Sequence, residues 1–383
     1  MQPFLKWAGG KDKEMKFIFP FLPERYNDFY EPFVGGGSVF AALDAGNYFI
    51  NDFSPELIRL YQSIADADAG FYLYARLIDG AWANADRFMD IALPLSDMFM
   101  AYRRNELTED GFLAAIDRFC RRHLDAIDAI VDRRLAPDRE AMRVGITDNL
   151  RRKLVRMREI ERRKNSCLSD ADVWENIRTA VKSAVYMHFR SLYNNQSVTE
   201  ANPSLATALF LFIRNYCYSG MFRYNAGGEF NVPYGGMAYN SKSLGRKLDY
   251  YSSREVERRM ANTVIECLDF ETFFYLHEPA ADDFVFLDPP YDSEFSTYAQ
   301  KEFTRADHLR LANLLVNRCR AQWMLVIKNT DFIYHLYDHP HINIHSFDKT
   351  YQVSFMNRND RSAEHLIITN YNRQPLIEQL LCP

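Results

Sequence analysis

The chain has 383 residues, is 48% hydrophobic and 25% charged, and carries a formal net charge of -5 at pH 7. Its apolar fraction excludes a disordered or collagen-like chain, its length predicts two or three domains, and no apolar run reaches the roughly 20 residues of a membrane span. The acidic balance argues against an indiscriminate polyanion binder, which is usually basic.

The opening Met1-Gln2-Pro3-Phe4-Leu5-Lys6-Trp7 lacks the charged-then-apolar pattern of a signal peptide, so a cytoplasmic protein is expected. Residues 28–66 read as strand, glycine loop, helix, strand, helix. Asp28 to Val34 is β-prone, Gly35-Gly36-Gly37 breaks it, and Ser38 is an expected N-cap for a helix from Val39 to Ala45. Tyr48-Phe49-Ile50 is a second strand closed by Asn51-Asp52. Ser54 then caps a helix with Pro55 at its first position. This pattern begins a parallel α/β sheet.

From Ala67 to Asn202 strand patterns vanish and apolar residues fall at helical spacing, as at Leu150, Leu154 and Met157, with breaks at Ala136-Pro137-Asp138 and Asn165-Ser166. Ala206 to Tyr216 reads as a buried helix, and Ser219 to Gly236 as an ordered loop or hairpin. Strands return at Thr263–Ile265, Phe284–Leu287, Trp323–Ile327 and His365–Thr369, with a helix over Ala306–Cys319. Six cysteines (Cys120, Cys167, Cys217, Cys267, Cys319, Cys382) form no CxxC pair and nine histidines no HExxH, so neither a disulfide framework nor a metal site is expected.

Four segments carry chemistry. Glu31-Pro32-Phe33-Val34-Gly35-Gly36-Gly37-Ser38 puts unpaired amides at a helix N-terminus, and Asp52 ends the next strand where a carboxylate can accept ribose hydroxyls. Phe40 occupies the third glycine position of the dinucleotide fingerprint, which disfavours a nicotinamide or flavin. Asp288-Pro289-Pro290-Tyr291 follows an apolar strand and makes an acceptor-rich corner with an aromatic face, suited to a nucleobase amino group. Phe4-Leu5-Lys6-Trp7-Ala8-Gly9-Gly10-Lys11, taken alone, reads as a flexible arm. From Arg214 to Gly235, aromatics interleave with Arg and Asn on a turn-rich scaffold. Such a segment can read base edges or wedge between bases, or it can be an irregular loop held by aromatic packing.

Together and in this order, over roughly residues 4–66 and 204–370, the four segments resemble the Dam-type (α-group, D12 class) DNA adenine N6-methyltransferases. The resemblance implies a Rossmann-like methyltransferase sheet, S-adenosyl-L-methionine as cofactor, and duplex DNA as substrate. The target adenine would be flipped out and methylated by in-line displacement. Trp7, Gly10, Lys11, Phe33, Gly35, Gly37, Asp52 and Asp288 should line the cofactor pocket, with Asp269-Phe270 on the cofactor's adenine. Asp288, Pro289, Pro290 and Tyr291 match the catalytic motif. Lys6, Tyr218, Ser219, Arg223, Asn225 and Pro233 fall where relatives that read GATC meet DNA. Ser219 and Met221 stand where an Asn and a Leu are expected, so the target sequence is left open.

The expected organisation is a catalytic domain of 1–66 and 262–383, a helical insertion at 67–202, and a target-recognition region at 203–261. Members of ordinary size have a much shorter linker at the insertion. Within it, residues 151–164 hold eight basic side chains against two acidic ones. They read as a solvated amphipathic helix, or more sharply as a DNA-backbone or dimer contact. A homodimer and a cognate restriction enzyme are further candidate partners. The rival activities are methylation of cytosine or of adenine in RNA, and the rival class is a DNA-binding regulator without catalysis.

Overall fold

The computed structural model describes residues 1–7, 9–136, 138–291, 303–350 and 362–373. Ala8, Pro137 and Cys382, named above, lie outside them. The chain packs into two units, Met1–Asp66 with the described part of Ser253–Pro383, and Ala67–Ser252.

The first unit is built on a seven-stranded sheet: β1 (Phe29–Glu31), β2 (Tyr48–Asn51), β3 (Thr263–Glu266), β4 (Phe284–Leu287), β5 (Gln322–Lys328), β6 (Asn343–Thr350) and β7 (Ser362–Thr369), in the order β3-β2-β1-β4-β5-β7-β6. β1 to β5 run parallel, and β7 lies antiparallel between β5 and β6. The central strands read as continuous apolar runs because both faces are covered: every residue of β4 and Trp323 to Ile327 of β5 is buried. On one face Phe273, Leu311, Leu315 and Ile333 pack over Val285, Leu287, Leu325 and Ile368.

The expected helix after the glycine loop is present but shorter, Ser38–Ala42, and its N-cap is Gly37 rather than Ser38. Gly37 has φ 73°, a left-handed turn that a hydroxyl-bearing residue adopts poorly, so the glycine takes the cap. At the next helix, Pro55–Ala65, the Ser54 hydroxyl caps the Leu57 amide and Pro55 takes the first position, as read. β6 carries no clear sequence signal. His345 and Ser346 stand side by side between Ile344 and Phe347, which breaks the period-two alternation, and the strand exists through its full pairing with β7.

The second unit is helical. Pro203–Tyr216 is apolar on nearly every side and packs against Ala69–Arg87 and Asp170–Asn194. The separate 203–261 region expected from the sequence divides differently: 203–252 share the core of 67–202, while the helix Arg254–Ala261 packs with the sheet beside Pro55–Ala65 and β3. Residues 217–234 fold back as a hairpin pinned by the bridges Cys217↔Tyr234 and Tyr224↔Phe230.

Candidate active site

Strand order reverses between β1 and β4, which pair directly through Phe29↔Phe284 and Tyr30↔Val285. Ligands of open α/β sheets sit outside the carboxyl ends of the strands at this switch point. The chain leaves β1 into Pro32-Phe33-Val34-Gly35 and leaves β4 into Asp288-Pro289-Pro290-Tyr291. All these residues line one cavity of about 240 Å³. Trp7, Gly10, Lys11, Glu31, Asp52, Asp269, Phe270 and Arg310 also line it, whereas Gly37, expected there, does not.

The segment around Trp7 is not a flexible arm. Phe4 and Leu5 are buried, and their amides bond the Gly36 carbonyl at 3.0 and 3.3 Å. This close approach explains the glycines. A Cβ on Gly36 would sit 2.2 Å from the Leu5 carbonyl oxygen, and one on Gly35 would sit 2.9 Å from Cδ1 of Trp7. The Tyr61 hydroxyl donates to the Gly35 carbonyl at 3.0 Å and fixes the loop from behind.

Asp52 accepts the Gly35 amide through Oδ2 at 3.0 Å and the Ser54 amide through Oδ1 at 2.9 Å. Burial nonetheless pushes its carboxyl up to about 6, against the lowering effect of those amides. Glu31, 2% exposed, has its carboxyl raised well above the usual range, first by burial and then by Asp288 and Asp52. Among the described residues its Oε2 has no hydrogen-bond partner. Asn51 ties the walls together, donating to the carbonyls of Pro32 and Leu268 and accepting the Leu268 amide.

Asp269 caps the helix Phe270–Leu276 through the Glu271 amide and bonds Arg310 at 2.7 Å. The Arg310 guanidinium also meets Glu271 and Asp307 and lies 4.8 Å from the centre of the Phe270 ring. Phe33 packs on Phe270 and Phe303. Lys11 is 2% exposed, and its Nζ lies 2.5 Å from Oδ1 of Asp288, 3.2 Å from the Tyr291 hydroxyl and 3.8 Å from Glu14. Burial alone would lower the ammonium, but Asp288, Tyr291 and Glu14 outweigh it and raise it above its ordinary value. Tyr291 meets His365 of β7 edge-on at 5.4 Å.

Of the expected DNA-contact residues, Lys6 lies exposed beside Trp7 in the first unit. The others lie on the hairpin of the second unit. Tyr218, Arg223, Asn225 and Pro233 are exposed, and Ser219 has a left-handed φ of 53°. Arg223 bonds Asn231, and Asn225 closes the hairpin tip through the Gly227 and Glu229 amides. Glu31, Asn51 and Arg310 are among the cavity residues to which the sequence expectations give no role. Glu31 was visible inside its motif and Asn51 beside Asp52, whereas Arg310 reaches Asp269 from 41 residues away with no local signal.

The seven-stranded sheet is consistent with a Rossmann-like methyltransferase fold, and the cavity lies at the carboxyl edge of β1 and β4. The sequence profile of the D12 class N6 adenine-specific DNA methyltransferases matches residues 7–117 and 144–353, and the chain belongs to that family. Its activity is methylation of the adenine N6 in DNA, which decides against the cytosine and RNA readings.

The chain is 26% identical over 383 residues to the type II methyltransferase M.CviBI of Paramecium bursaria Chlorella virus NC1A, covering 97% of this chain and 100% of that one. It is 23% identical to a DNA adenine methylase of Haemophilus influenzae, over 86% of this chain and 80% of the relative. It is 21% identical to the type II methyltransferase M1.LlaDCHI of Lactococcus lactis, over 97% and 96%. The matched ranges also run through much of the helical segment 67–202. The profile leaves only 118–143 unmatched between its two segments, and the viral relative aligns over its whole length. Amphipathic helices carry a periodicity but no motif, so a resemblance built on motifs passes over them. Among the described residues no helix is long and apolar enough to cross a membrane.

Proposed function

We propose that this cavity holds S-adenosyl-L-methionine and one adenine flipped out of duplex DNA. The observation that carries the reading is that the glycine loop after β1 and the Asp288–Tyr291 corner after β4 line one cavity. The residues fit the cofactor's chemistry. The buried, unpartnered Oε2 of Glu31 suits an ammonium group, Asp52 the ribose hydroxyls, and Asp269 with Phe33 and Phe270 an adenine. When bound, the cofactor supplies an electrophilic sulfonium methyl for in-line displacement.

The protein's own part is to position and polarise the base. An adenine inside a duplex is out of reach and must be flipped. Tyr291 stacks on it. Asp288 and the Pro289 carbonyl accept its two amino hydrogens, which turns the nitrogen lone pair away from the ring. Lys11 holds Oδ1 of Asp288 at 2.5 Å, so we assign Oδ2 as the acceptor. Fixed acceptors also stabilise the positive charge that develops on nitrogen, and alignment supplies much of the rate. Lys6, Tyr218, Ser219, Arg223, Asn225 and Pro233 are assigned to DNA contact. A second copy or a cognate restriction enzyme is not required by this chemistry.

The test is transfer of tritiated methyl from S-adenosyl-L-methionine to unmethylated duplex DNA, with RNA in parallel. Transfer to DNA is expected, and Asp288→Ala should abolish it while leaving cofactor binding largely intact. Near-normal turnover by Asp288→Ala would overturn the assignment. Mapping the methylated positions gives the recognition sequence and separates an enzyme from a catalytically silent regulator.

A further inference from the structure

The helix Arg139–Lys164 of the second unit buries Leu150, Leu154, Met157 and Glu161 on one side. Arg152, Arg156 and Arg163 fall on the opposite side, at positions i, i+4 and i+11, and all three are exposed. A groove beside this face is lined by Leu113, Arg151, Arg152, Lys153, Val155, Arg156 and Glu159, four cations against one carboxylate.

The partners of these cations divide them into two groups. Arg151 lies 3.6 Å from Asp117, Arg156 2.7 Å from Glu159, and Arg158 3.6 Å from the buried Glu161, so each is offset within the fold. Arg162 lies 5.9 Å from the centre of the Tyr102 ring. Arg163 and Lys164, in the last turn, complement the helix dipole. Arg152 and Lys153 stand mid-helix, where neither account applies. Arg152 is held by the Asn149 side chain at 2.8 Å, and among the described residues neither it nor Lys153 has a carboxylate in ion-pair reach. Burial, and then the Arg152 charge, lowers the Lys153 ammonium below its ordinary value. A partly buried lysine beside an arginine, with no counter-charge of its own, is a fixed positive site that an anion relieves.

We infer that the exposed Arg152 and its half-buried neighbour Lys153, both lining the groove beside the helix Arg139–Lys164, bind backbone phosphates of DNA independently of base sequence. This rests on the reading that duplex DNA is the substrate. The stripe from Arg152 to Arg163 runs about 16 Å along the helix axis. Phosphates recur about every 3.4 Å of axis along one strand, so the stripe spans several of them and suits a polyanion better than a single small anion. Glu159 within the stripe, and its pairing with Arg156, keep the face from being a uniformly cationic surface.

The experiment compares wild type with Arg152→Gln/Lys153→Gln, and separately with Arg163→Gln/Lys164→Gln. Each is titrated with a 30-base-pair duplex that contains the methylated sequence and with one that lacks it, over a range of salt. Because each phosphate contact contributes about 0.9 to the slope of log affinity against log salt, the 152/153 pair should flatten the slope by about 2. The loss should be equal on both duplexes, with kcat at saturating DNA unchanged and a far-ultraviolet spectrum of wild-type shape. An unchanged slope, or a loss confined to the duplex with the target sequence, overturns the assignment. A slope that falls only in the 163/164 variant also overturns it. Wild type that binds DNA with a steep slope but transfers no methyl refutes the enzymatic reading and leaves the phosphate site to be judged by the slope.

Discussion

The buried Lys11 and the partly exposed Asp288 form an ion pair, Nζ to Oδ1 at 2.5 Å, that joins the N-terminal segment to the corner after β4. The sequence reading placed Lys11 among the cofactor contacts and Asp288 in the catalytic motif. The pair couples the two roles, because the ammonium that lines the cavity also orients the carboxylate. Removing the ammonium leaves the partly exposed Asp288 without its counter-charge, a smaller loss than the about 3–5 kcal/mol typical of a fully buried pair. Lys11→Met is therefore expected to lower the melting temperature and to cut kcat at least about a hundredfold. Wild-type kcat in a folded Lys11→Met protein would refute the orienting role.

Asp52 gives a pH dependence. Its carboxyl is pushed up to about 6, chiefly by burial, so the folded protein holds this proton where the unfolded chain has lost it. Its contribution to stability is then present at low pH and disappears as pH rises through about 6. A ligand whose hydroxyls donate to Asp52 prefers the ionised form, so affinity runs the other way. Dissociation constants for S-adenosyl-L-methionine should fall between pH 5 and 7, approaching tenfold per unit below about 6. Calorimetry on wild type and Asp52→Asn checks this; an equally steep profile in the variant rules Asp52 out as its source.

Gly36 has no room for a side chain, since a Cβ would sit 2.2 Å from the Leu5 carbonyl oxygen and 3.1 Å from the Trp7 Cβ. Both neighbours belong to the segment that lines the cavity. Gly36→Ala is expected to destabilise the fold by about 1–3 kcal/mol, the usual range for overpacking, and to weaken cofactor binding at least tenfold. Chemical denaturation and calorimetry measure the two effects. Unaltered affinity would mean that this contact does not shape the pocket.

Arg310 holds Asp269, Glu271 and Asp307 together beside the Phe270 ring. Arg310→Met leaves three carboxylates facing one another and loosens the wall proposed for the cofactor's adenine. KM for S-adenosyl-L-methionine should rise several-fold while KM for DNA holds. Steady-state kinetics with each substrate varied in turn discriminates, and a rise confined to DNA would contradict this position for the adenine.

The sequence alone was enough for the parallel strands, the Ser54–Pro55 helix start and the buried helix read from Ala206 to Tyr216, because each rests on local spacing or side-chain chemistry. What a residue does over a few positions is written in its own run. The tertiary structure alone decided that the segment around Trp7 is pinned to Gly36, that 203–252 share a core with 67–202, and that the polar strand β6 exists. It also decided that Lys11 meets Asp288, that Arg310 meets Asp269, and that Glu31 is left with an unpartnered oxygen. These depend on groups far apart in the chain brought within hydrogen-bond reach by the pairing of β1 with β4, and on burial, which local spacing does not carry.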